Sequence, residues 1–283
     1  MSKGKTIGII SIKGGVGKTT TVSNLAASLT NDFQKKVLII DANFSAPNIG
    51  FYLGLKEPKF TIQDVLSDKV AASEAIQKHD LGFHIIPSTI FQTKFNPFDL
   101  KKKIAHLKEY YDVILLDSSP NLNDEILATM IASDELYAIT SPDMPTLACT
   151  MHAVKVAKQK NAKIKGIILN KVRNKNFEIK IADVENSTGV PVLALLPDDD
   201  RVLEALSKTT PSTIYTPKGE VAIEYRKLAG CMIGQEFKDP RMRAKFKSVF
   251  NMNLQKQEIN RAAFLKDLEV ATIEEVEKES KKK

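Results

Sequence analysis

The chain lacks most of the features that mark secreted, disulfide-stabilised or membrane-spanning proteins. Among its 283 residues it has no tryptophan and two isolated cysteines, Cys149 and Cys231. Such sparse cysteines exclude a disulfide framework and are typical of a reducing compartment. No apolar run approaches the roughly 20 residues that a membrane-spanning helix needs. The first apolar run is short and continues into a glycine-rich stretch without a cleavage site, so we expect no signal peptide and a cytoplasmic protein.

What is present is the composition of an ordinary globular protein with an excess of basic residues. Hydrophobic residues make up 43% of the chain and charged residues 27%, which is usual for a folded protein long enough to bury a core. The formal net charge of +7 permits anionic partners such as nucleic acid or a lipid surface, but it requires neither.

Apolar, β-branched runs alternate with helical stretches along most of the chain. The predicted strands are 6–11, 36–41, 82–88, 112–117, 136–140, 165–170 and 191–197. The predicted helices are 18–30, 98–109, 124–133, 146–160, 177–187 and 218–232. This alternation predicts an α/β fold with a doubly wound, mostly parallel sheet. Ligands bind such sheets outside the carboxyl ends of the strands, so functional residues should follow the strands.

The composition changes after Gly234, first to a strongly basic stretch and then to an acidic, helix-prone one. We therefore predict a first domain at 1–236 and a helical C-terminal extension at 237–283. Within the extension, the segment 241–254 has the pattern of a helix that lies on an anionic membrane surface. Docking of this helix against the first domain and binding of a protein partner are open alternatives. The apolar face of the segment would consist of Met242, Phe246, Val249 and Phe250, with basic residues on its flanks.

The stretch "GGVGKTT" directly after the first predicted strand has the pattern of a phosphate-binding loop. Three glycines, Gly14, Gly15 and Gly17, allow a tight turn whose N–H groups point at phosphate oxygens. Lys18 would supply positive charge to the phosphates, and the Thr19 hydroxyl can bind Mg²⁺. The predicted nucleotide-binding residues of this loop are Gly14, Gly15, Val16, Gly17, Lys18, Thr19 and Thr20.

One position departs from the general phosphate-loop pattern, because Ile12 stands where a glycine is usual, and Lys13 follows it. The stretch "KGGVGKT" resembles the deviant loop of the ParA/MinD family of ATPases, and "DANFSAPNIG" looks like its archaeal MinD-like members. The resemblance covers residues 5 to about 233. It implies a SIMIBI-type P-loop NTPase fold with ATP and Mg²⁺ as cofactors. It also implies an ATP-dependent homodimer in which Lys13 reaches phosphate on the partner subunit and Lys18 acts within its own chain.

The residues after the second strand carry further expectations from this resemblance. Asp41 would hold a water that binds Mg²⁺. Asn43 stands where the family usually has a second aspartate that orients the attacking water, and Asn48 matches a switch asparagine near the γ-phosphate. An amide can accept a hydrogen bond from water but cannot take its proton. Hydrolysis should therefore be slow or absent, and both asparagines also fit simple turn chemistry.

The run "DVILLDSSP" is typical of a Walker B strand, in which Asp117 holds Mg²⁺ through water. Ser118, Ser119 and Pro120 resemble the family's second switch, although a helix-capping cluster would look similar.

For the nucleotide base, the resemblance assigns Asn170, Pro197, Asp198 and Asp199, while the start of a helix is an alternative explanation for the two acids. Arg173 stands where a guanine-reading aspartate would be, so ATP is favoured over GTP.

The function implied is that of a MinD/ParA-like switch with slow ATPase activity, stimulated by a protein activator. Such a switch positions division, chromosome or surface-organelle machinery on a membrane or nucleoid surface. A non-hydrolysing ATP-dependent scaffold, motivated by Asn43, is one alternative. A ParA-type partition ATPase is another, with non-specific DNA bound by the basic runs 100–108 and 155–165, which are otherwise solvated faces. Iron–sulfur carriers are disfavoured because Cys149 and Cys231 do not fit a cluster-binding pattern.

Overall fold

A computed structural model of the protein describes residues 4–90, 94–241 and 255–280, with side chains described as far as residue 271. The strands are β1 Lys5–Ile10, β2 Val37–Ala42, β3 Gln77–Lys78, β4 His84–Ile86, β5 Val113–Ser118, β6 Glu135–Thr140, β7 Ile164–Val172 and β8 Val192–Pro197. The α-helices are α1 Lys18–Asn31, α2 Ile49–Tyr52, α3 Ile62–Leu66, α4 Leu100–Ile104, α5 Asp124–Ala132, α6 Met144–Gln159, α7 Ile181–Thr188, α8 Asp200–Ser207, α9 Ser212–Tyr215, α10 Glu220–Met232 and α11 Lys256–Ser280. Short 3₁₀ turns lie at Ala72–Ala75, Pro97–Asp99 and Ala105–Glu109.

The strands form one sheet in the order β3-β4-β2-β5-β1-β6-β7-β8. Neighbouring strands are parallel except for β3 and β4, which are antiparallel. In the register of the sheet, Asp117 at the end of β5 lies beside Ile9 of β1 and beside Asp41 of β2. The parallel arrangement therefore brings the segments that follow β1, β2 and β5 to the same edge.

Both faces of the central strands are buried, which explains why these strands are apolar without alternation. On one face, Ile9, Ile39 and Leu115 pack in a cluster with residues of α1 and α10. On the other face, Ile40 and Leu116 pack with residues of α3 and α4. The expected doubly wound α/β fold is confirmed.

Several elements differ from the sequence-based expectation. The strand expected at 82–88 is shorter, because Pro87 has no N–H to extend the ladder beyond β4. The helix expected at 98–109 is divided into 3₁₀ turns and the five-residue helix α4. The helix expected at 177–187 begins only at Ile181, since residues 173–180 form a loop. The short helices α2, α3, α8 and α9 and the two-residue strand β3 were not predicted.

The end of the chain forms the long helix α11, which packs against β8 and α10. The predicted domain boundary near residue 236 remains a prediction. The proposed membrane helix at 241–254 lies outside the described residues except for Arg241, whose side chain pairs with Asp239. No helix in the described part of the chain combines the length and apolar character needed to cross a membrane.

Candidate nucleotide-binding site

A cleft of about 310 Å³ opens at the carboxyl edge of the sheet, within the size range of small-molecule sites. It is lined by the segments that follow β1 and β2, by the carboxyl ends of β5, β7 and β8, and by residues of α8 and α10. The fold thus brings most of the predicted nucleotide-binding residues together, although they come from four separate parts of the chain. The predicted residues that line the cleft are Gly14, Gly15, Gly17, Lys18, Thr19, Thr20, Asn43, Asn48, Asn170, Pro197, Asp198 and Asp199. Four predicted residues do not line it, namely Lys13, Val16, Asp41 and Asp117.

The loop between β1 and α1 has the backbone that its glycines predict. Gly15 and Gly17 have φ angles of 77° and 104°, in the region that other residues rarely adopt. Gly17 is also the N-cap of α1 and provides no side-chain cap, so N–H groups of the first helical turn remain available to an anion. A Cβ at Gly17 would lie 2.4 Å from the Asn170 amide. Val16 is instead buried in the core beneath the loop.

Lys18 lies at the start of α1 with its side chain folded back towards the loop. Its Nζ lies 3.4 Å from the carbonyl oxygen of Lys13. Burial lowers the pKa of Lys18 to about 8, although the negative charge of Asp117 raises it. A further anion in the cleft would favour the charged form of Lys18.

Below Lys18, the Thr19 hydroxyl donates a 2.7 Å hydrogen bond to Oδ2 of Asp117. Asp117 is 1% exposed, and its Oδ1 has no hydrogen-bond partner among the described residues. Burial raises the pKa of Asp117 to about 6, while the Thr19 hydrogen bond and the charge of Lys18 lower it. A hydroxyl oxygen beside a buried carboxylate with a free oxygen fits a hard divalent cation such as Mg²⁺.

Asp41 is fully buried and organises the loop that follows β2. Its Oδ1 accepts a 3.1 Å bond from the Asn43 amide, and its Oδ2 accepts bonds of 3.1 and 3.3 Å from the amides of Asn48 and Ile49. Burial and the nearby charge of Asp117 raise the pKa of Asp41, while these backbone bonds lower it. The visible role of Asp41 is to shape the loop, and its expected link to Mg²⁺ stays a prediction.

Asn43 and Asn48 both line the cleft, and both side-chain amides donate to the carbonyl oxygen of Ala46. This is the turn chemistry that the sequence left open. Asn43 has a second feature, because it is 5% exposed and its Oδ1 accepts no hydrogen bond from the described residues. Buried acceptors are rarely left unpaired, so a ligand or water in the cleft is the natural donor.

The residues that follow Asp117 also contribute to the phosphate end of the site. Ser118 and Pro120 line the cleft, whereas Ser119 is fully buried beneath them. Asn123 caps α5 through a bond that its side chain accepts from Ile126.

Lys13 is bound within its own chain rather than projecting freely. Its Nζ donates a 2.7 Å hydrogen bond to the Thr146 hydroxyl and lies 3.5 Å from Asp143, at the start of α6. Burial alone would raise the pKa of Asp143, but hydrogen bonds from Ser141 and Thr146 and the charge of Lys13 lower it to about 2. Asp143 is therefore a permanent anion at neutral pH. Nothing in the local sequence around Lys13 could have revealed this contact with residues 130 and 133 positions away.

Two residues near the carboxyl end of β7 support the phosphate loop. The Asn170 amide donates a 2.8 Å bond to the carbonyl of Val16, and Lys171 donates a 2.9 Å bond to the carbonyl of Gly15. Asn170, expected to read the base, thus contacts the loop backbone through its amide nitrogen. Lys171 was not predicted to belong to the site.

At the opposite end of the cleft, both predicted acids are paired with arginines. Asp198 pairs with Arg173 at 2.6 Å, and Asp199 pairs with Arg201 at 2.6 Å. Asp199 also caps α8 by accepting a bond from the Arg201 amide. Pro197 and these two acids all line the cleft, and Asp199 is also the start of a helix. Their contact with the base stays a prediction.

The cleft also has an apolar wall, beside Pro197, that the sequence did not predict. Two of its residues, Val202 and Leu206, are four apart and would have indicated one face of α8, had that helix been predicted. Tyr225 comes from α10, and no local pattern connects it to the cleft. The lining residues that were not predicted are Tyr52, Lys171, Val202, Leu203, Leu206, Val221 and Tyr225.

Comparison with known proteins is consistent with this geometry. The family model described as the CobQ/CobB/MinD/ParA nucleotide binding domain matches residues 7–212. An uncharacterised ATP-binding protein of Methanocaldococcus jannaschii is 29% identical over 82% of this chain and 88% of its own length. The cell division ATPase MinD of Pyrococcus furiosus superposes with a TM-score of 0.76 at 30% identity, over 80% of this chain and 97% of its own. The septum site-determining protein MinD of Pyrococcus horikoshii, solved with Mg-ADP, gives the same score and identity over 80% and 94%.

Proposed function

Because this chain belongs to the CobQ/CobB/MinD/ParA nucleotide-binding family, we propose that it is an ATP-binding and ATP-hydrolysing switch of the MinD/ParA type. In this proposal two copies close over a pair of bound ATP molecules, and hydrolysis reopens the dimer. ATP and Mg²⁺ are its cofactors. The relatives with Mg-ADP or ATP-binding in their descriptions support this choice.

The observation that carries the proposal is the convergence of Lys18 and Thr19, which line the cleft, with the buried Asp117, to which the Thr19 hydroxyl donates. Lys18 places a cation above a loop whose N–H groups are free for phosphate oxygens, and Thr19 and Asp117 would hold Mg²⁺ below it. Mg²⁺ bound there would neutralise charge on the phosphate oxygens. The chain's own groups would orient the triphosphate, with the unpaired Asn43 oxygen in the same cleft.

The proposed dimer gives Lys13 its function. For its ammonium to reach phosphate on the partner subunit, it must leave Thr146 and Asp143. Lys13 of each copy would be released only when a second copy and a triphosphate are present. Nucleotide binding and dimerisation would therefore be thermodynamically linked.

The rate of ATP hydrolysis should depend on Asn43. Its unpartnered Oδ1 can accept a hydrogen bond from the attacking water but cannot remove a proton. We therefore expect slow hydrolysis that a protein activator stimulates. The same observation favours the second candidate, a scaffold that binds ATP and dimerises without turnover.

The cellular task we propose is positioning of division, chromosome or surface-organelle machinery, in line with the cell division and septum-site relatives. The switch would be cytoplasmic and attach to a surface. One surface is an anionic membrane, contacted through 241–254. The other is DNA, contacted through basic patches such as the end of α6, where Lys155, Lys158 and Lys160 lie.

The direct test is phosphate release from Mg²⁺-ATP by the wild-type chain and by Lys18→Ala. We expect slow turnover that Lys18→Ala abolishes. Full occupancy by ATP with no detectable turnover would favour the scaffold, and absence of ATP binding would refute both. Co-sedimentation with anionic liposomes, and separately with plasmid, each with ATP or ADP, distinguishes the surfaces. Deletion of residues 237–254 is not a suitable test of the membrane segment. The helix α11 follows this segment and packs against β8, so the deletion would also disturb α11. Neutral substitutions of the basic residues in the segment avoid that problem.

A further inference from the structure

The C-terminal helix α11 packs against β8, the edge strand of the sheet, and bonds to its backbone. Strand β8 is the last strand of the sheet in the described part of the chain, so no described strand pairs with its outer N–H and C=O groups. Asn260 of α11 donates a 2.7 Å bond to the carbonyl of Val192, and Arg261 donates a 2.7 Å bond to the carbonyl of Leu193. Side chains of α11 thus bind two backbone carbonyl groups at this end of the edge strand β8.

Arg261 also joins this edge to α10. The same guanidinium nitrogen lies 2.7 Å from Oε1 of Glu224 in α10. Glu224 in turn accepts a 3.1 Å bond from the Leu195 amide in β8. Both charged residues are more than nine-tenths buried, at 6% and 9% exposure. Removal of one partner from such a pair leaves an uncompensated buried charge.

The two elements that Arg261 joins form the base-side wall of the cleft. Leu195 lies two residues before Pro197, which lines the cleft at the end of β8. Glu224 lies next to Tyr225, which lines the cleft from α10 and contacts the Thr21 hydroxyl of α1 at 3.1 Å. Arg261 of α11, which does not itself line the cleft, therefore helps to set the distance between β8 and α10.

We infer that Arg261 is a positioning residue for nucleotide binding, which sets the base-side wall by bridging Leu193 of β8 and Glu224 of α10. This inference rests on the proposed function, since it assigns the apolar end of the cleft to the base. The family model ends at residue 212, before both α10 and α11. Glu224 and Arg261 thus lie outside the residues that the family model matches, whereas Leu193 lies within them. Arginine suits the role because its planar guanidinium can serve two acceptors at once.

The test is isothermal titration of the full-length chain with Mg²⁺-ATP and with Mg²⁺-tripolyphosphate, which occupies the phosphate end alone. We expect Arg261→Met to weaken ATP binding by about tenfold, while tripolyphosphate binding changes by less than about twofold. The matched control is Lys227→Met, which removes a different ion pair between α10 and α11, to Glu258 at 2.9 Å, without touching β8. The control should leave both affinities unchanged.

A double variant, Arg261→Met with Glu224→Gln, keeps the test usable if the single variant does not fold. It removes both buried charges and leaves an oxygen to accept from Leu195, so the same selective loss of ATP affinity is expected. An equal loss of affinity for both ligands, or no loss of affinity for either, would overturn the inference while leaving the proposed function intact. A wild-type chain that binds neither ligand would overturn both.

Discussion

The substitution Asn43→Asp tests how this site handles the attacking water, because it changes one atom at a position that lines the cleft. The amide nitrogen of Asn43 donates to the Ala46 carbonyl, which also accepts a 2.8 Å bond from Asn48. That carbonyl therefore keeps a donor in the variant. The Asn43 oxygen, which has no partner in the described part of the chain, would become part of a carboxylate that can take a proton.

The same change should destabilise the empty protein. A third carboxyl group would enter a site where burial already raises the pKa of Asp117 to about 6 and that of Asp41 above its usual range. Loss of one side-chain hydrogen bond and added repulsion should cost about 1–3 kcal/mol of unfolding free energy. At about 2–4 °C per kcal/mol for a chain of this size, the melting temperature without nucleotide should fall by roughly 2–12 °C. Mg²⁺-ATP should restore most of this loss.

The assay is phosphate release at saturating Mg²⁺-ATP, with thermal melts in the presence and absence of nucleotide. A positioned general base contributes about 10²–10⁴ to a rate, and the existing amide already orients water, so we expect Asn43→Asp to increase turnover at least about tenfold. Asn43→Ala is the control, since it removes the acceptor without adding charge and should slow turnover. Equal or lower turnover in Asn43→Asp at full occupancy would refute the assignment of Asn43 to the attacking water.

Two further predictions follow from contacts away from the phosphates. The pair of Lys13 and Asp143 is 3.5 Å apart with side chains 39% and 45% exposed, so it is worth at most about 1 kcal/mol. Asp143→Asn keeps an N-cap for α6 and releases one such pair per subunit, two in the dimer. The dissociation constant of the ATP-bound dimer should therefore fall about two- to thirtyfold by sedimentation velocity, and a weaker dimer would contradict the competition. For the thiols, burial raises the pKa of Cys231 to about 12, whereas Cys149 is partly exposed. A thiol reagent should therefore label one cysteine in the native protein and two in denaturant, and two fast thiols in the native protein would show that the α10 region opens.

Much of the fold and of the phosphate end could be predicted because local patterns specify them. The glycines around Val16 predict the loop, and the apolar run before Asp117 predicts a buried strand that ends in an acid. The short helices escaped prediction because four or five residues, as in α2 and α3, do not show a helical period. The apolar wall of the cleft could not be predicted, because Tyr225 is placed there by packing and not by any local signal. The contact of Lys13 with Thr146 could not be predicted either, since only the sheet order brings α6 beside the loop.

In the proposed dimer, two copies close over two triphosphates, and Lys13 of each copy reaches into the site of the other. The most direct measurement is light scattering of the wild-type chain and of Lys13→Ala, each saturated with Mg²⁺ and a non-hydrolysable ATP analogue. We expect the wild type to double its mass, whereas Lys13→Ala should bind the analogue within about twofold of wild type and stay monomeric. A Lys13→Ala variant that dimerises as the wild type does, or a wild type that stays monomeric when saturated, would contradict it.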